Sequence, residues 1–305
     1  MIKYSIISSS YNEEENIPIL AEQFFRFNSA HENQYELIVV DDGSTDSTYK
    51  NAKEAASKFE HIKVIRHRRN FGKTDGIITG VKNAEGGIVV IYDSDMQYSI
   101  DDIPRLVDEI EKNGYDICTG WKQGKYTKAF VSKVYNELSR KMFKLPIHDQ
   151  NGLKAMRKEI FDDIHLRKEW HRYIVSLAVN RGYSVTEIKV ELFPRKFGES
   201  KYGNPFRVFI GIFDMMTVKF IISFIKKPML FFGTGGLTLF AAGILIGIVA
   251  LILRFGFDLG FRPLLYLVML LVISGLVLFA VGFLAEIIAI LYEQLNELKS
   301  QRGKH

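Results

Sequence analysis

The chain's 305 residues leave room for one large domain or two modest ones, and a formal charge of +5 is too small to argue for a nucleic-acid partner. A single cysteine, Cys118, excludes an internal disulfide framework and a cysteine-based zinc site. The apolar share of 47% is ordinary as an average but hides two unlike parts. Up to about Ser200 the pattern is charged and mixed, and from Pro205 onward Phe, Ile, Leu, Val and Gly dominate.

The opening run from Ile2 to Ser9 reads as a short strand, with no charged-then-apolar leader before it. From there strand-like and helix-like segments alternate. "YSIISSS" precedes a helical "EENIPILAEQFFRFNSA", and the strand "YELIVVDD" precedes the helix "STDSTYKNAKEAASKF". "IKVIRH", helical "KTDGIITGVKNA", "GIVVIYDSD", helical "IDDIPRLVDEIEKNG" and "YDICTG" follow. Such alternation predicts βαβ units and an α/β fold with a mostly parallel sheet and helices on both faces. The run "IVVIYDSDMQ" ends in two aspartates one residue apart, and ligands gather at the carboxyl ends of parallel strands. Asp93, Asp95 and Gln97 are therefore expected at the sheet rim, where hard cations find oxygen ligands. Neither Gly-x-Gly-x-x-Gly nor a Walker-type loop follows the first strand, which argues against dinucleotide oxidoreductases and P-loop enzymes.

Beyond the mixed part, "NPFRVFIGIFDMMTVKFIISFIKK" is apolar but interrupted by Arg207, Asp214 and Lys219, which suits one or two helices lying in a membrane interface. The uncharged runs Met229 to Leu253 and Leu264 to Ala285 are each long enough to cross a bilayer. Lys219, Lys226 and Lys227 precede the first run and Lys299, Arg302 and Lys304 follow the second, so the positive-inside rule predicts cytoplasmic termini. The expected organisation is a catalytic domain over 1–204, interfacial helices over 205–228 and a transmembrane hairpin over 229–291, then a cytoplasmic tail over 292–305. The two spans of the hairpin are expected at about 229–253 and 264–287.

In order and spacing, "SSYNEEENI", "VVDDGSTD", "RNFGKTDG" and "YDSDMQ" resemble the inverting family 2 glycosyltransferases. "DICTGWKQG", "KAFVSKVYNELSR", "IHDQNGLKAMRKEIFD" and "PRKFGESKYG", followed by two spans, narrow the resemblance to the polyprenyl-phosphate glycosyltransferases related to dolichol-phosphate mannose synthase. That likeness implies a GT-A-like domain at the cytoplasmic face of the inner membrane, passing one sugar from a nucleotide-diphosphate sugar to a polyprenyl phosphate with inversion. UDP-glucose and undecaprenyl phosphate are the expected pair, in the service of cell-envelope glycans. GDP-mannose, another acceptor, or a non-catalytic sugar-nucleotide sensor are the alternatives, and a homo-oligomer is left open.

The resemblance also distributes roles. Tyr11, Glu13, Asp42, Lys73 and Asp93 fall to the nucleotide sugar, while Asp93, Asp95 and Gln97 fall to Mg²⁺ or Mn²⁺. Lys122, Lys128, Ser132, Arg195, Ser200 and Lys201 fall to the acceptor phosphate. Asp95 and Asp149 are the catalytic candidates, Asp149 either as base or as an orienting group. Departures from the family pattern stand at Ser9, Asp75, Lys122 and Lys128; lysine lacks the bidentate fork that arginine offers a phosphate.

Overall fold

Strand β2 (Tyr35–Asp41) is buried at every residue, and so is β4 (Ile88–Ile91). Runs of β-branched residues without polar alternation demand a sheet covered on both faces, and that is what the chain builds. The computed structural model describes residues 1–124, 129–195, 197, 206–224, 227–260 and 262–302. The chain resolves into two compact units, Met1–Met215 and Met216–His305.

In the first unit β1 (Tyr4–Ser10), β3 (Ile62–Arg66), β5 (Ile117–Gln123), β6 (Lys154–Arg157) and β7 (Val185–Glu191) join β2 and β4. The seven-stranded order is β3-β2-β1-β4-β6-β5-β7. All neighbours run parallel except β6, which lies antiparallel between β4 and β5. Ile7 of β1 faces Ile38 on one side and Ile91 on the other. Strand order reverses at β1, so the crevice between the ends of β1 and β4 is the switch point where an α/β sheet takes its ligand.

Helices α1 (Asn16–Ala30), α2 (Thr48–Lys58) and α4 (Ile103–Glu111) serve one face. On α4, Ile103, Leu106, Val107 and Ile110 recur at helical spacing and are all buried, with Pro104 preset for the first turn. They share a core with Ile6, Leu20, Phe24, Leu37 and Val90, each such side chain stabilising the fold by about 1.5–3 kcal/mol. Helix α3 (Lys73–Lys82) covers the opposite face, so close to β1 that a Cβ on Gly80 would meet Ile7 Cγ2 at 2.3 Å. Helices α5 (Ala129–Phe143), α6 (Ile160–Asp163) and α7 (Ile174–Asn180) complete the regular elements of the catalytic part.

The interfacial stretch forms one helix, α8 (Phe206–Phe224), rather than two. In the second unit α9 (Pro228–Gly256) and α10 (Arg262–Arg302) form an antiparallel hairpin. The seam is made of glycine: a Cβ on Gly236 would lie 2.7 Å from Gly275 O and 2.6 Å from Phe279 N, a separation only hydrogen tolerates. Glu286 accepts from the Met229 amide at 3.0 Å, satisfying a donor at the open end of α9. Both helices are long and apolar enough to cross a membrane, with few buried residues in either. Helix α10 runs on to Arg302, so residues 292–302 of the segment expected as a tail continue the second span's helix.

Candidate active site

The end of β4 is shaped by the residue between its two aspartates. Ser94 turns inward, its hydroxyl 2.9 Å from Ser8 Oγ and 2.5 Å from Ser10 Oγ, which fastens the loop to β1. Met96 adopts φ 49°, and its backbone amide bonds Asp93 O at 3.2 Å, closing a tight turn. With Ser94 tied down, the carboxylates on either side both line the cavity above the switch point.

Each carboxylate has its own cation. Lys73 Nζ at the start of α3 is 2.6 Å from Asp93 Oδ1, and Arg195 Nη2 is 2.8 Å from Asp95 Oδ2. Burial alone would raise the Asp93 carboxyl, but the adjacent Lys73 ammonium outweighs it and holds the group below the usual carboxylate range. Asp95 goes the other way: burial and then the Asp93 charge push it up to about 6, against the pull of Arg195.

The cavity, of about 510 Å³, also takes in Tyr11, Glu13 and Asp42, so the nucleotide-sugar candidates and the two aspartates share one space. Asp42 is buried with both oxygens engaged: Phe71 N and His67 Nδ1 meet Oδ1 at 2.9 and 2.7 Å, and Gly72 N meets Oδ2 at 2.7 Å. It therefore shapes the loop over the cavity as well as lining it. The turn before this loop needs Gly43, at φ 72°, where a Cβ would come 2.5 Å from the Arg69 backbone. Glu13 accepts from Asn16 Nδ2 at 2.7 Å, and its amide bonds Thr48 Oγ1 at 2.7 Å.

Gln97 sits outside that wall. Its Nε2 reaches Phe193 O at 3.3 Å and its Oε1 accepts from Arg195 Nε at 3.4 Å, so it stitches the aspartate loop to the segment after β7. Arg195 accordingly stands in the cavity of Tyr11 and Asp95, although its motif was read toward the acceptor. Among the acceptor candidates, Lys122 Nζ is 3.2 Å from Asp149 Oδ2, while Asp149 Oδ1 accepts from Asn151 N at 2.9 Å. Asp149 is only 1% exposed. Lys128, Ser200 and Lys201 lie outside the described residues, as does the side chain of Ser132 on α5.

Sequence reasoning missed Asn70, Glu169, Arg172 and Asp214, all of which line the cavity. Asp214 carried a signal, being an acid inside an otherwise apolar helix. Glu169 precedes a short 3₁₀ turn (Trp170–Tyr173) and Arg172 lies within it, and neither belongs to a recognised motif. That turn is held by neighbours: Tyr173 OH meets Tyr135 OH at 2.6 Å and donates to Gly211 O at 3.1 Å.

Residues 5–168 match the family model described as Glycosyl transferase family 2. Over 283 residues the chain is 32% identical to the dodecaprenyl-phosphate galacturonate synthase of Rhizobium johnstonii, covering 90% of this chain and 83% of that protein. It is 31% identical over 257 residues to the undecaprenyl-phosphate 4-deoxy-4-formamido-L-arabinose transferase of Proteus mirabilis, covering 83% of this chain and 77% of that protein. Among solved structures, glucosyl-3-phosphoglycerate synthase from Mycobacterium tuberculosis, in complex with Mn²⁺ and UDP-glucose, gives a TM-score of 0.56 at 17% identity. That match covers 72% of this chain and 79% of the other, and it is a likeness of fold.

Proposed function

Because the chain belongs to glycosyl transferase family 2 and is a glycosyltransferase, we propose that it transfers one sugar from a nucleotide-diphosphate sugar to a polyprenyl phosphate. The carrying observation is the pair Asp93 and Asp95, each matched to a cation, in the same cavity as Tyr11, Glu13 and Asp42. Relatives named for dodecaprenyl- and undecaprenyl-phosphate products support the acceptor class. The two apolar helices support a setting in the inner membrane, and the lysines and arginines flanking them support a cytoplasmic side for the catalytic unit and both termini.

Transfer is a single displacement. An acceptor phosphate oxygen bonds the anomeric carbon as the bond from that carbon to the donor diphosphate breaks. Nucleoside diphosphate leaves, and the sugar is carried inverted on the lipid phosphate. Near neutral pH the phosphate monoester is already an anion, so little is gained by removing a proton from it.

Asp93 and Asp95 would hold Mg²⁺ or Mn²⁺: the donor set is two hard oxygen anions, and among the described residues no cluster of three or more His, Cys, Asp or Glu could do so alone. A cation held there would supply positive charge to the leaving diphosphate. Tyr11 stacks on the base, with Glu13 and Asp42 beside the nucleoside. Arg195, tied to Asp95, serves the diphosphate end of the donor, while Lys122, Lys128 and Lys201 serve the acceptor phosphate.

The finer reading is UDP-glucose and undecaprenyl phosphate, with the relatives' galacturonate and 4-deoxy-4-formamido-L-arabinose as the next sugars to try. Purified protein in detergent would be given each nucleotide sugar with undecaprenyl phosphate and either Mg²⁺ or EDTA. Metal-dependent formation of a lipid-linked monosaccharide by one donor is expected. Turnover of none, or equal turnover of undecaprenol, would overturn the reading.

A further inference from the structure

Lys154 opens β6, the one antiparallel strand, and so stands beside the carboxyl end of β4. It lies opposite Ile91, two residues before Asp93, and opposite Thr119 on β5. Its strand neighbours Leu153 and Ala155 point into the core on the other face. Lys154 is therefore aimed to the side of α3 and the 170–173 turn, and it is only 5% exposed. Among the described residues no side chain forms a hydrogen bond or an ion pair with it.

A buried ammonium without a partner is strongly disfavoured, and its neighbours do not relieve it. The charges acting on Lys154 are Lys73, Asp93, Asp149 and Lys122. Asp93 is already matched by Lys73 at 2.6 Å, and Asp149 by Lys122 at 3.2 Å. Both carboxylates that act on Lys154 are thus engaged by other ammonium groups. Burial and then Lys73 lower its pKa to about 8, so at neutral pH the group is still charged. The hydroxyl across the ladder, Thr119 Oγ1, is buried without a hydrogen-bond partner and can donate to an anion. A cation and an unpartnered hydroxyl, facing each other across the ladder, describe a place prepared for an oxyanion.

We propose that Lys154 is the buried counter-charge for a phosphoryl group of the reactants, reached as the acceptor's phosphomonoester or as the donor's diphosphate. This rests on the glycosyl-transfer reading for the identity of the phosphate, but not for the anion site itself.

The test uses full-length protein in detergent, as wild type, Lys154→Met and Lys154→Arg. Melting temperature is read without ligand and with farnesyl phosphate against farnesol, UDP against uridine, GDP against guanosine, and inorganic pyrophosphate. Unliganded Lys154→Met should melt at or above wild type, because a desolvated charge has been replaced by an apolar chain. The phosphate-dependent part of the stabilisation should fall at least tenfold in apparent affinity for one class of probe, and Lys154→Arg should regain part of it. Loss confined to farnesyl phosphate assigns Lys154 to the acceptor; loss confined to the nucleotides assigns it to the donor. If wild type turns over no nucleotide sugar yet gains stability from pyrophosphate that Lys154→Met loses, the anion site stands and the glycosyl-transfer reading falls. Unchanged stabilisation by every phosphate probe in Lys154→Met overturns the proposal. So does a lowered melting temperature that Lys154→Arg restores while phosphate binding stays at the wild-type level in both, since Lys154 would then be a packing residue.

Discussion

Arg195 Nη2 lies 2.8 Å from Asp95 Oδ2 and its Nε reaches Gln97 Oε1 at 3.4 Å, so one guanidinium grips both ends of the Asp-Met-Gln turn. That position favours the donor side of the reaction over the acceptor side. Charge-assisted contacts to phosphate are individually worth roughly 1.5–3 kcal/mol. Arg195→Ala should therefore weaken nucleotide-sugar binding by about tenfold or more, as read by calorimetry. The KM for polyprenyl phosphate should hardly move. A raised acceptor KM with unchanged donor affinity would return Arg195 to the acceptor site.

The same pair sets a stability trade. Asp95 titrates at about 6 in the folded chain, above the 3.8 of the free carboxyl, because burial and Asp93 disfavour its charge. A raised folded pKa gives stability that is full below about 3.8 and is lost as pH rises through 6. Asp95→Asn should thus melt higher than wild type at pH 7, with the difference vanishing near pH 4. It should also lose most divalent-dependent turnover. Wild-type metal dependence in Asp95→Asn would remove Asp95 from the metal site.

How much of this was readable beforehand follows from where the information lies. The parallel strands and the Asp93–Gln97 rim were legible because β-branched runs and acidic strand ends are local patterns. Two apolar spans were legible for the same reason. Strand β6 was not, since four residues of mixed character, "KAMR", carry no period and are fixed only by β4 and β5 on either side. Glu169, Arg172 and Asp214 reach the cavity through tertiary packing, with Tyr173 as the peg, and nothing in their spacing announces it. Gln97 matched its motif, yet its amide is used by Phe193 and Arg195, a partnership set across 98 positions of chain.

Acid should unfold the catalytic unit partly through His171. The ring is buried, Nδ1 sits 3.0 Å from Thr74 Oγ1, and burial followed by the repulsion of Lys73 holds its pKa well below 6.5. A base with a depressed folded pKa gives stability that is present above about 6.5 and is lost as pH falls below it. The urea midpoint of His171→Gln, taken relative to wild type, should rise as pH falls from 7.5 to 5. Parallel slopes would mean that His171 does not carry the acid sensitivity.

The glycine seam makes a prediction for the hairpin. With 2.6 Å between a Gly236 Cβ and the Phe279 backbone, Gly236→Leu cannot keep α9 against α10, whereas Gly256→Ala has open space around it. Cysteine pairs placed across the seam should crosslink in wild type and Gly256→Ala and fail in Gly236→Leu. Topology is checked with reporters at Gly256 and at His305, which should score on opposite sides of the membrane. Equal scores would exclude two spans.

Asp149 separates an orienting role from a basic one. Its Oδ1 accepts from the Asn151 amide of its own loop, and its Oδ2, which makes no hydrogen bond, faces the Lys122 ammonium, an arrangement that suits an orienting carboxylate. Next to it, Gln150 Oε1 accepts from Ser176 Oγ at 2.6 Å, fixing the loop to α7. An ionised phosphate acceptor has no proton that must be taken before it attacks. Asp149→Asn preserves the size of the side chain and the bond to Asn151, removing only the charge that restrains Lys122. Turnover should then fall by less than about tenfold, with the acid limb of the pH profile unmoved. Asp149→Ala, which also frees the loop, should be the more damaging of the two, chiefly through acceptor KM. General-base catalysis typically contributes 10²–10⁴-fold. A fall of that size in kcat for Asp149→Asn, with the acid limb abolished, would make Asp149 the base after all.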